Sequence, residues 1–183
     1  MGDWHQDIVF KDVKEDELEE MAQKIFQYLV GRRIIQDKKL DNVLSDSMGH
    51  PPGENWREVV AFPEEKHFLE LRTNGLEIRK GRTVFWADGS GFEKIACPHC
   101  GENNLGCDWS ELFGNWMEDP QSANLVCISC HTSSSISDYI FEPTWALSNL
   151  GFVFWNWPIF NRSFIRELEQ LTAKPILMVK GKL

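Results

Sequence analysis

The sequence predicts an α+β fold in which a strand-helix-strand unit at each end of the chain frames an inserted module held by four cysteines. Three observations point there: a helical apolar period over residues 18–30, a second strand-helix-strand pattern from residue 152 onward, and two Cys-x2-Cys pairs between them. With 183 residues, 42% of them apolar, and with 8 Trp and 12 Phe, the chain can bury roughly 70% of its unfolded surface, so no metal is needed to replace a core.

Each element follows from local chemistry. Asp7-Ile8-Val9-Phe10 is short and β-prone. Asp12 and Glu15 precede Leu18, Met21, Ala22, Ile25, Phe26, Leu29 and Val30, which recur at helical spacing over about four turns. Gly31 is placed to supply a left-handed cap, and Arg32 and Arg33 follow at the negative end of the dipole. Ile34-Ile35 predicts a strand directly after that helix. Residues 41–67 contain Gly49-His50-Pro51-Pro52-Gly53 and little periodicity, which predicts a long connection with one short element. Leu76-Glu77-Ile78 and Thr83-Val84-Phe85-Trp86 flank Arg79-Lys80-Gly81-Arg82, the composition of a β-hairpin. Asp88-Gly89-Ser90-Gly91 then leads into the cysteine region. Phe152-Val153-Phe154-Trp155-Asn156-Trp157 is apolar on both faces, as an interior strand is. Asn161 or Ser163 can cap a helix whose Phe164, Leu168 and Leu171 share a face; Pro175 ends it, and Ile176-Leu177-Met178-Val179 gives the last strand. If the outer units pair, the result is similar to a ferredoxin-like or related βαβ…βαβ sandwich. Its core comprises residues 1–94 and 141–183, and residues 95–140 form the inserted module.

Cys97-Pro98-His99-Cys100 and Cys127-Ile128-Ser129-Cys130 give C-x2-C, 26 intervening residues, and C-x2-C. Two residues between cysteines let one tight turn aim both sulfurs at a point while backbone N–H groups bond the thiolates. Two such turns complete a tetrahedron and leave no open position, so Cys97, Cys100, Cys127 and Cys130 are the predicted ligands of a structural zinc ion. Iron is the rival metal, since paired knuckles also resemble rubredoxin, but Pro and Gly are absent beside the second pair; thiol redox chemistry usually needs one pair only. Cys107, the fifth cysteine, reads as a small buried apolar residue, and His99 and His131 as substitute ligands. Residues 95–140 resemble zinc ribbons, a class without a single function. More broadly, Trp4…Ile8-Val9-Phe10, Cys97-Pro98-His99-Cys100 and Phe154-Trp155-Asn156-Trp157-Pro158…Gly181-Lys182-Leu183 look like a group of uncharacterised bacterial proteins of similar length. That resemblance implies a shared fold and a bacterial cytosolic origin and carries over no catalytic residue.

Charge and motifs narrow the function classes. The net charge is −9, and residues 95–161 contain no Lys or Arg but seven acids. Nonspecific phosphate binding needs the reverse. Arg79, Lys80 and Arg82 beside Phe85 and Trp86, and Lys174, Lys180 and Lys182, are two small basic clusters that offer a weak nucleic-acid alternative. No nucleotide-binding, hydrolase or metalloprotease motif is present. An enzymatic alternative uses the 41–67 loop, with Asp46 and His50, joined by His67, as acid, base and ligand. The favoured class is a noncatalytic zinc protein that binds a partner through an acidic surface, an inhibitory or immunity-type role toward a basic protein. Trp109, Phe113 and Trp116 lie at i, i+4 and i+7 among acids, a stripe that either faces the partner or packs inward. The amino end, Met1-Gly2-Asp3-Trp4-His5, has neither a basic nor an apolar leader region, and no apolar run reaches membrane-spanning length, which predicts a cytoplasmic location.

Overall fold

Six consecutive residues, His5 to Phe10, are buried in the first strand, β1 (Trp4–Phe10), so both faces of the sheet are covered along it. In the computed structural model, which describes residues 2–87 and 91–183, β1 also has a neighbouring strand on each edge. Asp88, Gly89 and Ser90, which lead into the cysteine region, lie outside the described residues. The chain continues through α1 (Leu18–Gly31), β2 (Leu76–Phe85), β3 (Lys94–Ala96), α2 (Ser110–Glu118), β4 (Asn124–Val126), β5 (Ser133–Ser135), β6 (Ile140–Glu142), β7 (Ala146–Trp155), α3 (Arg162–Thr172) and β8 (Ile176–Lys182). It is a mixed α/β protein with three helices and a four-stranded sheet, in the order β2-β7-β1-β8, whose neighbours are all antiparallel. β1 pairs with β7 from His5↔Trp155 to Phe10↔Leu150 and with β8 from Trp4↔Lys182 to Phe10↔Ile176. No helix among the described residues is long and apolar enough to cross a membrane.

The two faces of the sheet follow from strand alternation. Ile8, Phe10, Phe152 and Phe154 meet Ile25 and Leu29 of α1 and Phe164 and Leu168 of α3. Val9, Val153, Trp155 and Val179 point the other way, where Phe85 joins them. Asn161 caps α3 by accepting from the Phe164 N–H at 2.8 Å, and Ala173, at φ +54°, ends the helix two residues before Pro175.

Three local expectations are corrected. Ahead of α1, Asp12 is left-handed (φ +58°) and the Glu17 carboxylate accepts from the Lys14 N–H at 2.8 Å, with no side-chain cap on the helix itself. Gly31 stays inside the helix, and Arg33 (φ +58°) is the left-handed residue. The Arg33 N–H bonds Val30 O at 2.8 Å and the Ile34 N–H bonds Leu29 O at 2.9 Å, a Schellman ending whose apolar contact joins Ile34 to Leu29. Ile34 and Ile35 are consequently buried plugs beneath α1 rather than a strand: Ile35 makes one isolated bridge, to Pro52, and prolines there supply no N–H for a longer ladder. Residues 76–85 form one continuous strand, not a hairpin. Gly81, at φ +90°, provides a β-bulge between Lys80 and Thr83, and β7 is long enough to pair with both halves. Residues 41–67 carry one complete single-turn element, Trp56–Glu58, and a second, His67–Glu70, begins where they end.

Gly151 in the centre of β7 shows how closely the second face is packed. A Cβ there would meet the Phe85 ring at 2.2 Å. Gly151→Ala, which usually favours a strand, is therefore expected to destabilise the protein by about 1–3 kcal/mol. Urea unfolding followed by tryptophan fluorescence checks this, and a neutral or stabilising result would place Phe85 elsewhere.

Candidate metal centre

The first cysteine pair follows β3, and the second lies between β4 and β5, so each occupies the turn of a short antiparallel ribbon. β4 and β5 pair directly, while Ala96 and Asn103 bridge behind the first turn. The two turns have one bonding pattern. The N–H groups of His99 and Ser129 approach the sulfurs of Cys97 and Cys127 at 3.4 Å each. The N–H groups of Gly101 and His131 bond the carbonyls of Cys97 and Cys127 at 3.0 Å each. The ring closes through the Cys97 N–H to Glu102 O at 2.9 Å and the Cys127 N–H to Thr132 O at 3.0 Å. Gly101 and His131 take the same left-handed position, at φ +75° and φ +57°. The exposed His131 thus does in the second turn what glycine does in the first.

The four sulfurs of Cys97, Cys100, Cys127 and Cys130 lie within 4.8 Å of one another. Cys97 and Cys130 are 3.7 Å apart across the two turns, and Cys100 and Cys127 are 3.6 Å apart. Those separations are far longer than a disulfide, near 2 Å, and close to the roughly 3.8 Å between thiolates arranged tetrahedrally at about 2.3 Å from one ion. The four cysteines are positioned to hold a metal ion. Cys97 and Cys127 are buried and Cys100 and Cys130 exposed, so the group sits at the module's surface with one sulfur of each turn inside.

Electrostatics divide the thiols. The Cys127 thiol is pushed down to about 6, first by the Cys130 backbone N–H, against the opposing effect of burial, and then by the Ser129 N–H and the Cys100 side chain. Cys130 is lowered by the side chain and backbone of Thr132. Cys100 is pushed up to about 12: the Glu102 backbone favours its thiolate, but partial loss of hydration within the cluster and the three neighbouring sulfurs outweigh it. Burial raises the Tyr139 hydroxyl, with the charges of Cys97, Cys127 and Cys130 adding to the effect. A bound cation would favour the thiolate at every one of these positions and so offset the opposed shifts.

Asn104 joins the two turns. It is fully buried, its side-chain N–H donates to Glu102 O at 2.8 Å, and its Oδ1 accepts from the Ile128 N–H at 3.0 Å. Asn103 accepts from the Ile95 and Leu105 N–H groups, both at 3.0 Å. Nothing in the Cys-x2-Cys spacing points to either asparagine; Asn103-Asn104 just beyond a turn was the available signal. Around the sulfurs, Ile95, Leu125, Ile136, Tyr139 and Phe141 form a second hydrophobic core. Trp116 is buried in it, and Trp109 and Phe113 pack with Phe92, so the aromatic stripe of α2 faces inward. Lys94↔Glu142 and Ile95↔Phe141 close the module where it leaves and rejoins the rest of the chain.

The remaining sequence candidates are distributed differently. Cys107 is half-buried against the same core, with its sulfur 4.0 Å from Asn104 Oδ1 and outside the four-sulfur group. His99 is exposed and contacts Ser134 Oγ at 2.9 Å, so neither histidine belongs to the cluster. In the loop, His50 is buried, with Nδ1 3.2 Å from Gln36 O and its ring 4.7 Å from Phe26; burial lowers its pKa. It lines a cavity of about 590 Å³ with Asp37, Glu77 and Lys80. Asp46 is exposed and does not line that cavity, and His67 lies elsewhere, 3.4 Å from Glu70. The structure does not bring Asp46, His50 and His67 together. Arg79 forks onto Glu77 at 3.1–3.2 Å, Lys80 holds Glu19 at 2.8 Å, and Arg82 holds Glu15 at 3.0 Å. Lys174 pairs with Glu17, whereas Lys180 and Lys182 are exposed.

No family model, curated protein or solved structure matches this chain.

Two substitutions separate support from ligation. Asn104→Ala is expected to cost about 1–3 kcal/mol and to weaken metal retention, because it strands the Ile128 N–H and Glu102 O together. His131→Gly relieves a left-handed side chain and is expected to raise thermal stability by about 1 kcal/mol with metal content unchanged. Thermal melts beside metal analysis read both effects; loss of metal in His131→Gly would make the imidazole a ligand.

Proposed function

We propose that this is a noncatalytic zinc protein of the cytoplasm, whose four thiolates hold one structural zinc ion in a zinc-ribbon-like module inserted into a ferredoxin-like sheet. The observation that carries the zinc assignment is the convergence of four sulfurs, 3.6–3.7 Å apart across two matching turns. With four protein ligands the ion has no vacant position for water or substrate, which favours a structural role over a catalytic one. The ferredoxin-like assignment is supported by the strand order β2-β7-β1-β8 and by the helices that join β1 to β2 and β7 to β8.

The proposed partner is a basic protein. All seven acids between residues 95 and 161 are exposed and none has an ion-pair partner among the described residues. A zinc ion bound by four thiolates adds two further negative charges. Val126, Ile128 and Ile140 are more than half exposed on the same module and offer apolar contact inside a charged field. The cavity at His50 favours a second role, an enzyme with that imidazole as base, although Asp46 lies outside it.

Metal analysis of protein purified without added zinc is expected to give one colourless zinc per chain and one reactive thiol, Cys107. Cys97→Ser and Cys130→Ser are expected to lose the metal and open residues 95–140 to protease while the sheet melts cooperatively; variants that keep both metal and parental melting would refute the ligand set. A pull-down from the native cell is expected to retain a basic protein at low salt and release it at high salt. If neither condition retains a protein, the partner model fails.

A further inference from the structure

On the helix-covered side of the sheet, at the first turn of α3, a cavity of about 290 Å³ has an unusual wall. Arg162 and Arg166 of α3 and Lys180 of β8 line it, all exposed, and none has a carboxylate within 4.0 Å among the described residues. No acid lines the cavity, and its apolar wall includes Ile165 and Met178. Gln6 of β1 lines it too and is fully buried. Its amide N–H groups donate to Trp157 O at 3.2 Å and Pro158 O at 2.7 Å, which fixes the orientation of the amide. Its Oε1 is thereby left as a buried acceptor with no donor among the described residues. Buried acceptors are almost always met, and an unmet one at a cavity calls for a donor from whatever fills it. The three cations call for an oxyanion, which two planar guanidiniums can grip in parallel pairs and the positive end of α3 also favours.

We propose that this cavity is a binding site for a small apolar oxyanion, a carboxylate or phosphate ester that carries one N–H or O–H donor for Gln6. The volume lies at the lower end of small-molecule sites, which suits a branched aliphatic or single-ring body. This site is independent of the four-cysteine cluster, so its test stands whether or not zinc is the metal.

Methyl NMR of the intact chain, observing Ile165 and Met178, tests it with four probes. N-acetyl-L-leucine supplies the carboxylate, the donor and the apolar body; 4-methylpentanoate lacks the donor; N-acetyl-L-leucinamide lacks the charge; isopentyl phosphate replaces carboxylate by phosphate. N-acetyl-L-leucine is expected to shift both methyls saturably at millimolar concentration. The donor-free acid should bind about fivefold more weakly, and the uncharged amide about tenfold or more. The relative strength of isopentyl phosphate then assigns the oxyanion to phosphate or carboxylate. Arg162→Gln with Arg166→Gln changes two exposed side chains, so folding is retained, and is expected to weaken the acid about tenfold. Gln6→Leu should remove the preference for the donor-bearing acid, and the arginine variant tests the site even if that buried change unfolds the chain. Absence of a saturable shift with both oxyanions, equal binding of the uncharged amide, or unchanged affinity in the double arginine variant overturns the proposal.

Discussion

Four thiols that converge within 4.8 Å impose the constraint on which the middle of this chain depends. Each ionised sulfur makes the next harder to ionise, and the backbone N–H groups that favour Cys127 cannot do the same for Cys100, which is held up near 12. A divalent cation held by the four sulfurs would remove that conflict. The strands that carry the sulfurs are three residues each, too short to persist as isolated ribbons. Their order rests on the sulfur cluster, on Asn104 between the turns, and on the aromatic core that Trp116 and Phe141 fill.

Legibility in the sequence followed the range of the physics involved. The Cys-x2-Cys spacing, the periods of α1 and α3, the Asn161 cap and the β-prone first and last segments are short-range signals, and each led to the right element. Arg33 at the end of α1 was hidden because Gly31 is the better left-handed residue by intrinsic preference, whereas the Leu29–Ile34 contact decided where the helix ends. The strand through Gly81 was hidden because glycine between charged residues signals a reversal and a bulge equally, and only the length of β7 distinguishes them. Asn104 was invisible for another reason: its value comes from joining Glu102 and Ile128, a pairing that exists only after the two turns have met.

Arg82, within the bulge at Gly81, reaches two elements: its guanidinium holds Glu15 ahead of α1 and bonds the carbonyls of Met117 and Glu118 at the end of α2, where the helix dipole favours a cation. Val84, just beyond the bulge, packs with the module core, while Phe85 turns into the sheet's second face. Arg79, Lys80 and Arg82 are thus paired with Glu77, Glu19 and Glu15, none of which belongs to the lysine-free segment. Its own carboxylates are exposed, and none is ion-paired among the described residues. The strand that carries the bulge therefore meets the module through Val84 and Arg82, while the cations beside Gly81 are paired with carboxylates outside it.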